Sequence, residues 1–235
     1  AFPRSESGRT YAVADAEGNF VANASKASRK DARDAVVAAR AAVKGWSGAT
    51  AYNRGQVLYR IAELLEGRRA QFVDESTRLG GVSVAAANAQ VDASIDLWIW
   101  YAGWTDKHEQ VAGNRHAVSG PYFNIYVPEP TGVVAVIVPQ GSSLLGFVSA
   151  VAPPLVTGNT VVAIASERFP LSAISLAEVL ATSDVPGGVV NVLTGSPAEM
   201  APWLASHADV NALDLAGAEN LDWIDLQIEA ADTLK

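Results

Sequence analysis

From Thr131 onward the chain alternates short, uninterrupted apolar runs with helical apolar patterns, and this alternation restricts its fold more than any other feature. Residues 133–138, 160–164, 189–194 and 212–215 read as strands; residues 144–156, 171–180 and a stretch following Gly195 read as the helices between them. A strand without polar alternation is buried on both faces, and helical crossovers join parallel neighbours. The pattern therefore predicts an α/β fold with a doubly wound, Rossmann-like parallel sheet covered by helices on both sides.

The preceding segments have other periods. "SGRTYAVADAEGNFVANAS" alternates about the turn signal Glu17-Gly18-Asn19 and predicts a hairpin. Ser28 with Asp31 forms a capping-box pair ahead of Val36, Val37, Ala39, Val43 and Trp46 at helical spacing. One amphipathic helix is expected over residues 53–79, with Val57, Leu58, Ile61, Leu64 and Leu65 inward, and another over residues 85–106, carrying Ile95, Trp98, Ile99 and Trp104. Residues 110–130 read as two short aromatic strands about Gly120-Pro121, a two-stranded arm whose Tyr122, Phe123 and Tyr126 either pack into the core or meet a neighbour. In the last stretch Leu221, Ile224, Ile228 and Ala231, widened by Trp223 and Leu226, share a helical face expected to dock, while the acidic outer face stays solvated.

With 235 residues, 49% of them hydrophobic and 18% charged, the chain can bury a full core as one domain. A net charge of -8 without basic clusters argues against a nucleic-acid surface or an anionic membrane. The absence of cysteine removes disulfides, thiolate metal sites and a sulfur nucleophile, and the three histidines lack metal-ligand spacing, so no metal is expected. The opening residues do not resemble a signal peptide and no apolar run reaches membrane-spanning length, which gives a cytoplasmic expectation. Ala1 at the start, with Met200 the one methionine, implies either a processed N-terminus or a sequence shorter than the gene product.

"EPTGVVAVIVP", "APPLVTGNTVVAIASERFPLSAISLAEVL", "PGGVVNVLTG" and "ASHADV" stand in the order and spacing of the NAD(P)-dependent aldehyde dehydrogenase superfamily, which the chain resembles over nearly its whole length. Trp46, Arg54, Leu58, Ile61 and Leu65 are similar to that family's N-terminal helices. The resemblance implies an NAD-binding-domain-like unit over residues 1–235: N-terminal hairpin and helices over 1–109, a β arm of oligomerisation type over 110–130, a Rossmann-like core over 131–218 and a docking helix over 219–235, with the catalytic domain absent.

In the family, the turn after the first Rossmann strand carries an asparagine that stabilises the oxyanion formed when a cysteine attacks the aldehyde. Here that turn is Pro139-Gln140-Gly141-Ser142-Ser143, and Gly141 stands at the asparagine position. Ser142 and Ser143 are better explained as turn or cap residues than as a substitute nucleophile, since His108, His116 and His207 are scattered. No catalytic residue is assigned. The resemblance places a vestigial cofactor site at Val138, Pro139, Glu167, Gly195 and Gly217. Glu167 retains the acceptor for ribose hydroxyls, while Ile164 replaces its cationic partner. Pro197 and Ala201 stand where small flexible residues are expected, Ala216 and Ala218 have lost hydroxyls, and Asp222 sets a carboxylate where the family has a later glycine.

These features imply no cofactor, or weak NAD(P) affinity, in a non-catalytic homologue that assembles with itself or with an active aldehyde dehydrogenase. Two alternatives stay open: an oxidoreductase acting on aldehydes with NAD(P), its site completed by residues or a chain outside this sequence, and a dinucleotide-binding module without redox chemistry.

Overall fold

The computed structural model describes residues 3–233. An antiparallel hairpin, β1 (Thr10–Ala14) and β2 (Phe20–Ser25), leads into α1 (Arg29–Ser47). Ser28 and Asp31 form the anticipated reciprocal capping box at the start of that helix. The long helix expected over residues 53–79 is two helices, α2 (Ala51–Gly67) and α3 (Arg69–Gly80). The break follows Gly67, and Arg68 leaves helical geometry to reach Glu178 at 2.7 Å and Gln71 at 3.0 Å. Next comes α4 (Val84–Ala102), which buries Ile95 and Trp98 but leaves Ile99 exposed. Trp104 lies beyond its end, half-buried.

After a short α5 (His108–Ala112), β3 (Asn114–His116) and β4 (Asn124–Tyr126) pair antiparallel as the arm. Its aromatics are outside the core: Tyr122 and Phe123 are about 70% exposed and Tyr126 54%.

The Rossmann-like unit comprises β5 (Val133–Ile137), α6 (Leu144–Val156), β6 (Thr160–Ile164), α7 (Pro170–Thr182), β7 (Val190–Leu193), α8 (Pro197–Ala205) and β8 (Ala212–Asp214). The strands are all parallel, in the order β7-β6-β5-β8. Successive residues of β5 serve opposite cores. Val134, Val136 and Val138 face α2, α4, α6 and α7 with Leu58, Trp98 and Phe147, whereas Val133, Ala135 and Ile137 face α1 and α8 with Val36, Met200 and Leu204. Two apolar layers on one sheet account for the unbroken hydrophobic strands.

A final helix, α9 (Trp223–Ala230), divides the apolar residues of the expected docking face. Leu226 and Ala230 are buried against α8, while Ile224 and Ile228 are 67% and 65% exposed. Among the described residues no helix is long and apolar enough to cross a membrane.

Candidate functional site

A sheet ordered β7-β6-β5-β8 reverses its direction of winding between β5 and β8, and the loops at the carboxyl ends of its strands diverge there. A groove of about 480 Å³ occupies this edge. Each strand supplies part of its wall: Gln140 after β5, Glu167 and Arg168 after β6, Ser196 and Pro197 after β7, and Gly217 and Asn220 after β8. Tyr11 and Ala12 of the N-terminal hairpin close the remaining side.

Gln140 ties two of these loops together. Its side-chain amide donates to Val138 O at 2.6 Å and accepts from the Glu167 amide at 2.9 Å, and its carbonyl accepts from Ser166 Oγ at 2.9 Å. Ser142 Oγ accepts from the Gly146 amide at 2.9 Å, a helix-start contact. Gly141 itself has no atom within 4 Å of the position a Cβ would occupy. His108 Nδ1 contacts Thr105 O, His207 Nδ1 accepts from the Asp209 amide and His116 stacks on Tyr126, so no histidine serves as a base for Ser142 or Ser143. Among the described residues there is no group of three or more His, Asp or Glu side chains arranged to hold a metal ion.

The structure separates the residues expected to form a vestigial cofactor site. Glu167 and Gly217 line the groove, and Gly195 immediately precedes its Ser196 rim. Val138 is fully buried in the core, its carbonyl bonded to Gln140, and Pro139 lies off the groove. Ile164 and Ala201 are also core residues, so neither presents a side chain to a ligand. Asp222 is spent as the N-cap of α9, accepting from the amides of Ile224 and Asp225, and does not line the groove.

Two glycines have structural reasons to be glycine. Gly217 donates to Ile137 O at 2.9 Å, and a Cβ there would lie 2.2 Å from the backbone of Val138. Gly195 has φ +126 and faces Ala27 and Lys26 of the hairpin connection.

Sequence reasoning missed Tyr11, Gln140 and Arg168. Gln140 and Arg168 neighbour recognised turn residues, but Tyr11 sits in a separate segment and its arrival depends on hairpin docking. That docking is polar: Ala27 N donates to Thr194 O, Thr194 Oγ1 donates to Ser25 O at 2.6 Å, and Glu199 pairs with Arg9 at 2.6 Å and Lys26 at 3.4 Å. The Arg9 hydrogen bond, together with both cationic charges, holds the Glu199 carboxyl below its ordinary range. Burial, reinforced by the Glu167 charge, pushes the Tyr11 hydroxyl up to about 12.

A larger groove of about 600 Å³ lies between the start of α1 and the end of α8. Its cations are already engaged: Lys30 with Glu6 at 3.6 Å, Arg33 with Asp34 at 2.9 Å, and Arg29 over the Trp203 ring at 3.8 Å. The strand-end groove is the candidate site because it sits at the winding reversal and gathers loops from all four strands.

Fold and groove together define a doubly wound α/β protein of the dinucleotide-binding type. The aldehyde dehydrogenase family model matches residues 2–222, and the chain belongs to that family. It is 32% identical over its full length to aldehyde dehydrogenase family 2 member B4, mitochondrial, of Arabidopsis thaliana, covering 44% of that protein. Over 91% of its length it is 34% identical to retinal dehydrogenase 2 of Homo sapiens, covering 42% of it. Among solved structures, betaine aldehyde dehydrogenase of Staphylococcus aureus in complex with NAD+ superposes with a TM-score of 0.90 at 25% identity, over 100% of this chain and 47% of that one. An NAD-dependent aldehyde dehydrogenase from Sinorhizobium meliloti gives 0.90 at 26%, again over 100% and 47%. The chain thus spans less than half the length of these relatives.

Proposed function

We propose that this chain is a non-catalytic unit of the aldehyde dehydrogenase family, assembling with a second copy or with an active family member and retaining weak affinity for NAD(P). The carrying observation is the turn after β5. Its Gln140 side chain is committed to backbone groups of Val138 and Glu167, Ser142 Oγ is engaged by the Gly146 amide, and Gly141 offers no side chain at the family's oxyanion position. Loss of one such donor costs about 10²–10³ in rate. The arm supports assembly, because a two-stranded ribbon with exposed Tyr122, Phe123, Ile125 and Tyr126 has edges and apolar area free for a neighbouring sheet. A cytoplasmic location remains part of this proposal.

The groove fits the ribose end of a dinucleotide. Glu167 provides an acceptor at its wall, and Tyr11 on the same groove has a buried hydroxyl that lies by the Gly195 backbone without completing a well-formed hydrogen bond. The phosphate end fits less well, since Pro197, the first residue of α8, has no amide to donate. NAD(P)+ would supply a hydride acceptor if bound; this chain's residues would orient it.

The test is incubation of the purified protein with a simple aldehyde and NAD+ or NADP+, following reduced nicotinamide. No signal above the protein-free blank is expected, and sustained turnover would refute the non-catalytic reading. A second reading, an oxidoreductase completed from outside this sequence, is favoured by the exposed Trp223, Ile224 and Ile228 directly following groove residues Asn220 and Leu221. On that reading Gly141→Asn raises turnover.

A further inference from the structure

Along β1, Tyr11 is half-buried and Val13 buried, while Thr10, Ala12 and Ala14 are exposed, Ala12 at the rim of the groove. Val13 is buried; Tyr11 lines the groove, and its hydroxyl is sealed from solvent without a well-formed hydrogen bond. A buried hydroxyl without a good partner is unfavourable, so the position stands out in a hairpin otherwise held by satisfied polar contacts. Glu167 lines the same groove, so its carboxylate and the Tyr11 ring share one wall, and its charge adds to the burial that raises the Tyr11 pKa. Arg168, the nearest cation by sequence, lies over the Phe169 ring at 4.8 Å and makes no ion pair with Glu167 among the described residues.

The wall therefore pairs a carboxylate that can only accept with a protonated phenol that can donate and accept. An anionic group would be repelled by Glu167, and an apolar group would leave both unsatisfied. Two adjacent neutral hydroxyls satisfy both.

We infer that Tyr11 is a nucleotide-binding residue, its hydroxyl bonding one hydroxyl of a ribose diol whose other hydroxyl is held by Glu167. The inference rests on the nucleotide-retaining part of the function proposed above and adds to it a ligand-reading residue from outside the Rossmann-like unit. Recognition of the diol then depends on docking of the N-terminal hairpin through Thr194 and Glu199.

Isothermal titration calorimetry of wild type, Tyr11→Phe and Glu167→Gln tests this with three probes: NAD+, adenosine 5′-diphosphate and its 2′,3′-dideoxy form. Tyr11→Phe keeps the ring that the hairpin packs, and its melting curve checks the fold. Wild type is expected to bind NAD+ and adenosine 5′-diphosphate, Tyr11→Phe to weaken both about fivefold, and the dideoxy form to bind both proteins alike. If wild type binds and Tyr11→Phe binds equally well, or loses as much with the dideoxy probe, the Tyr11 role is overturned while the groove reading stands. If wild type binds none of the probes, the groove reading falls and the role of Tyr11 falls with it.

Discussion

At Gly217 the chain crosses so close to the end of β5 that an added methyl group would overlap the Val138 carbonyl. Gly217→Ala is expected to cost about 3 kcal/mol or more in denaturant unfolding, so loss of nucleotide binding in that variant would report a displaced strand end rather than a lost ligand contact. Gly141 presents the opposite case. Open space surrounds its Cβ position and its φ is not left-handed, so Gly141→Asn should stay within about 0.5 kcal/mol of wild type. Tyr11 carries a pH signature. Its folded pKa of about 12 lies above the ordinary tyrosine value of 10.0, so the folded state holds the proton longer than the unfolded state. The contribution is intact below pH 10 and is lost as pH rises through 12. Melting temperatures across that window should fall more steeply for wild type than for Tyr11→Phe.

Among the elements, α1 and α9 show how far local pattern carries. Ser28 Oγ accepts from the Asp31 amide at 3.3 Å and the Asp31 carboxylate accepts from the Ser28 amide at 2.7 Å, all within one turn of chain. Burial opposes ionisation of Asp31, but hydrogen bonds from Ser5, Ser28 and the Glu6 amide outweigh it and lower its pKa below 3.8. That stabilisation is present above the unfolded pKa and is lost as pH falls through the depressed folded value. Ser28→Ala should cost about 1 kcal/mol, and Asp31→Asn should flatten the acid limb of a melting-temperature profile. The eight-residue α9 is apolar on both sides, so periodicity alone selects no face. Contact with α8 chooses Leu226 and Ala230. Leu226→Ala is expected to cost about 2–3 kcal/mol and Ile228→Ala less than about 0.5 kcal/mol, a contrast that chemical denaturation resolves.

Across the whole molecule, the N-terminal helices and the Rossmann-like unit are joined by polar clamps as well as by the shared core. Arg54 is buried and donates to Val156 O at 3.2 Å, to Ala49 O at 2.5 Å and to Ser47 O at 3.4 Å, linking the ends of α1 and α6 to α2. Burial lowers its pKa, with the Glu109 charge acting in the opposite direction. Arg54→Ala removes charge-assisted bonds to three carbonyls and should destabilise the fold by about 3 kcal/mol. Arg54→Lys should recover little, because an ammonium lacks the planar fork that serves several acceptors. The arm makes the remaining prediction at this scale. On the proposed role of the arm in assembly, replacing Tyr122, Phe123 and Tyr126 by serine should lower the native mass while leaving the far-ultraviolet dichroism unchanged, since these rings contribute to no core.

The sequence by itself determined the parallel sheet, the hairpin, the capping box, the arm and the positions of the strand-end turns. Each of these is written in neighbouring residues: unbroken apolar runs such as Val133–Ile137, a Glu17-Gly18-Asn19 turn, or a serine three residues before an aspartate. Tertiary structure decided the path of the chain at the Arg68 break, where the side chain pairs with distant Glu178, and the face of α9 that is buried within this chain. It also decided which residues meet at the groove. Tyr11 shares the groove with Glu167 because the end of β2 and the residue pair after it dock on Thr194, just past β7, and Gln140 joins the ends of β5 and β6 because those strands are parallel neighbours. Periodicity reports a residue's local environment, whereas a site assembled from five separate segments is set by the long-range packing that brings them to one sheet edge.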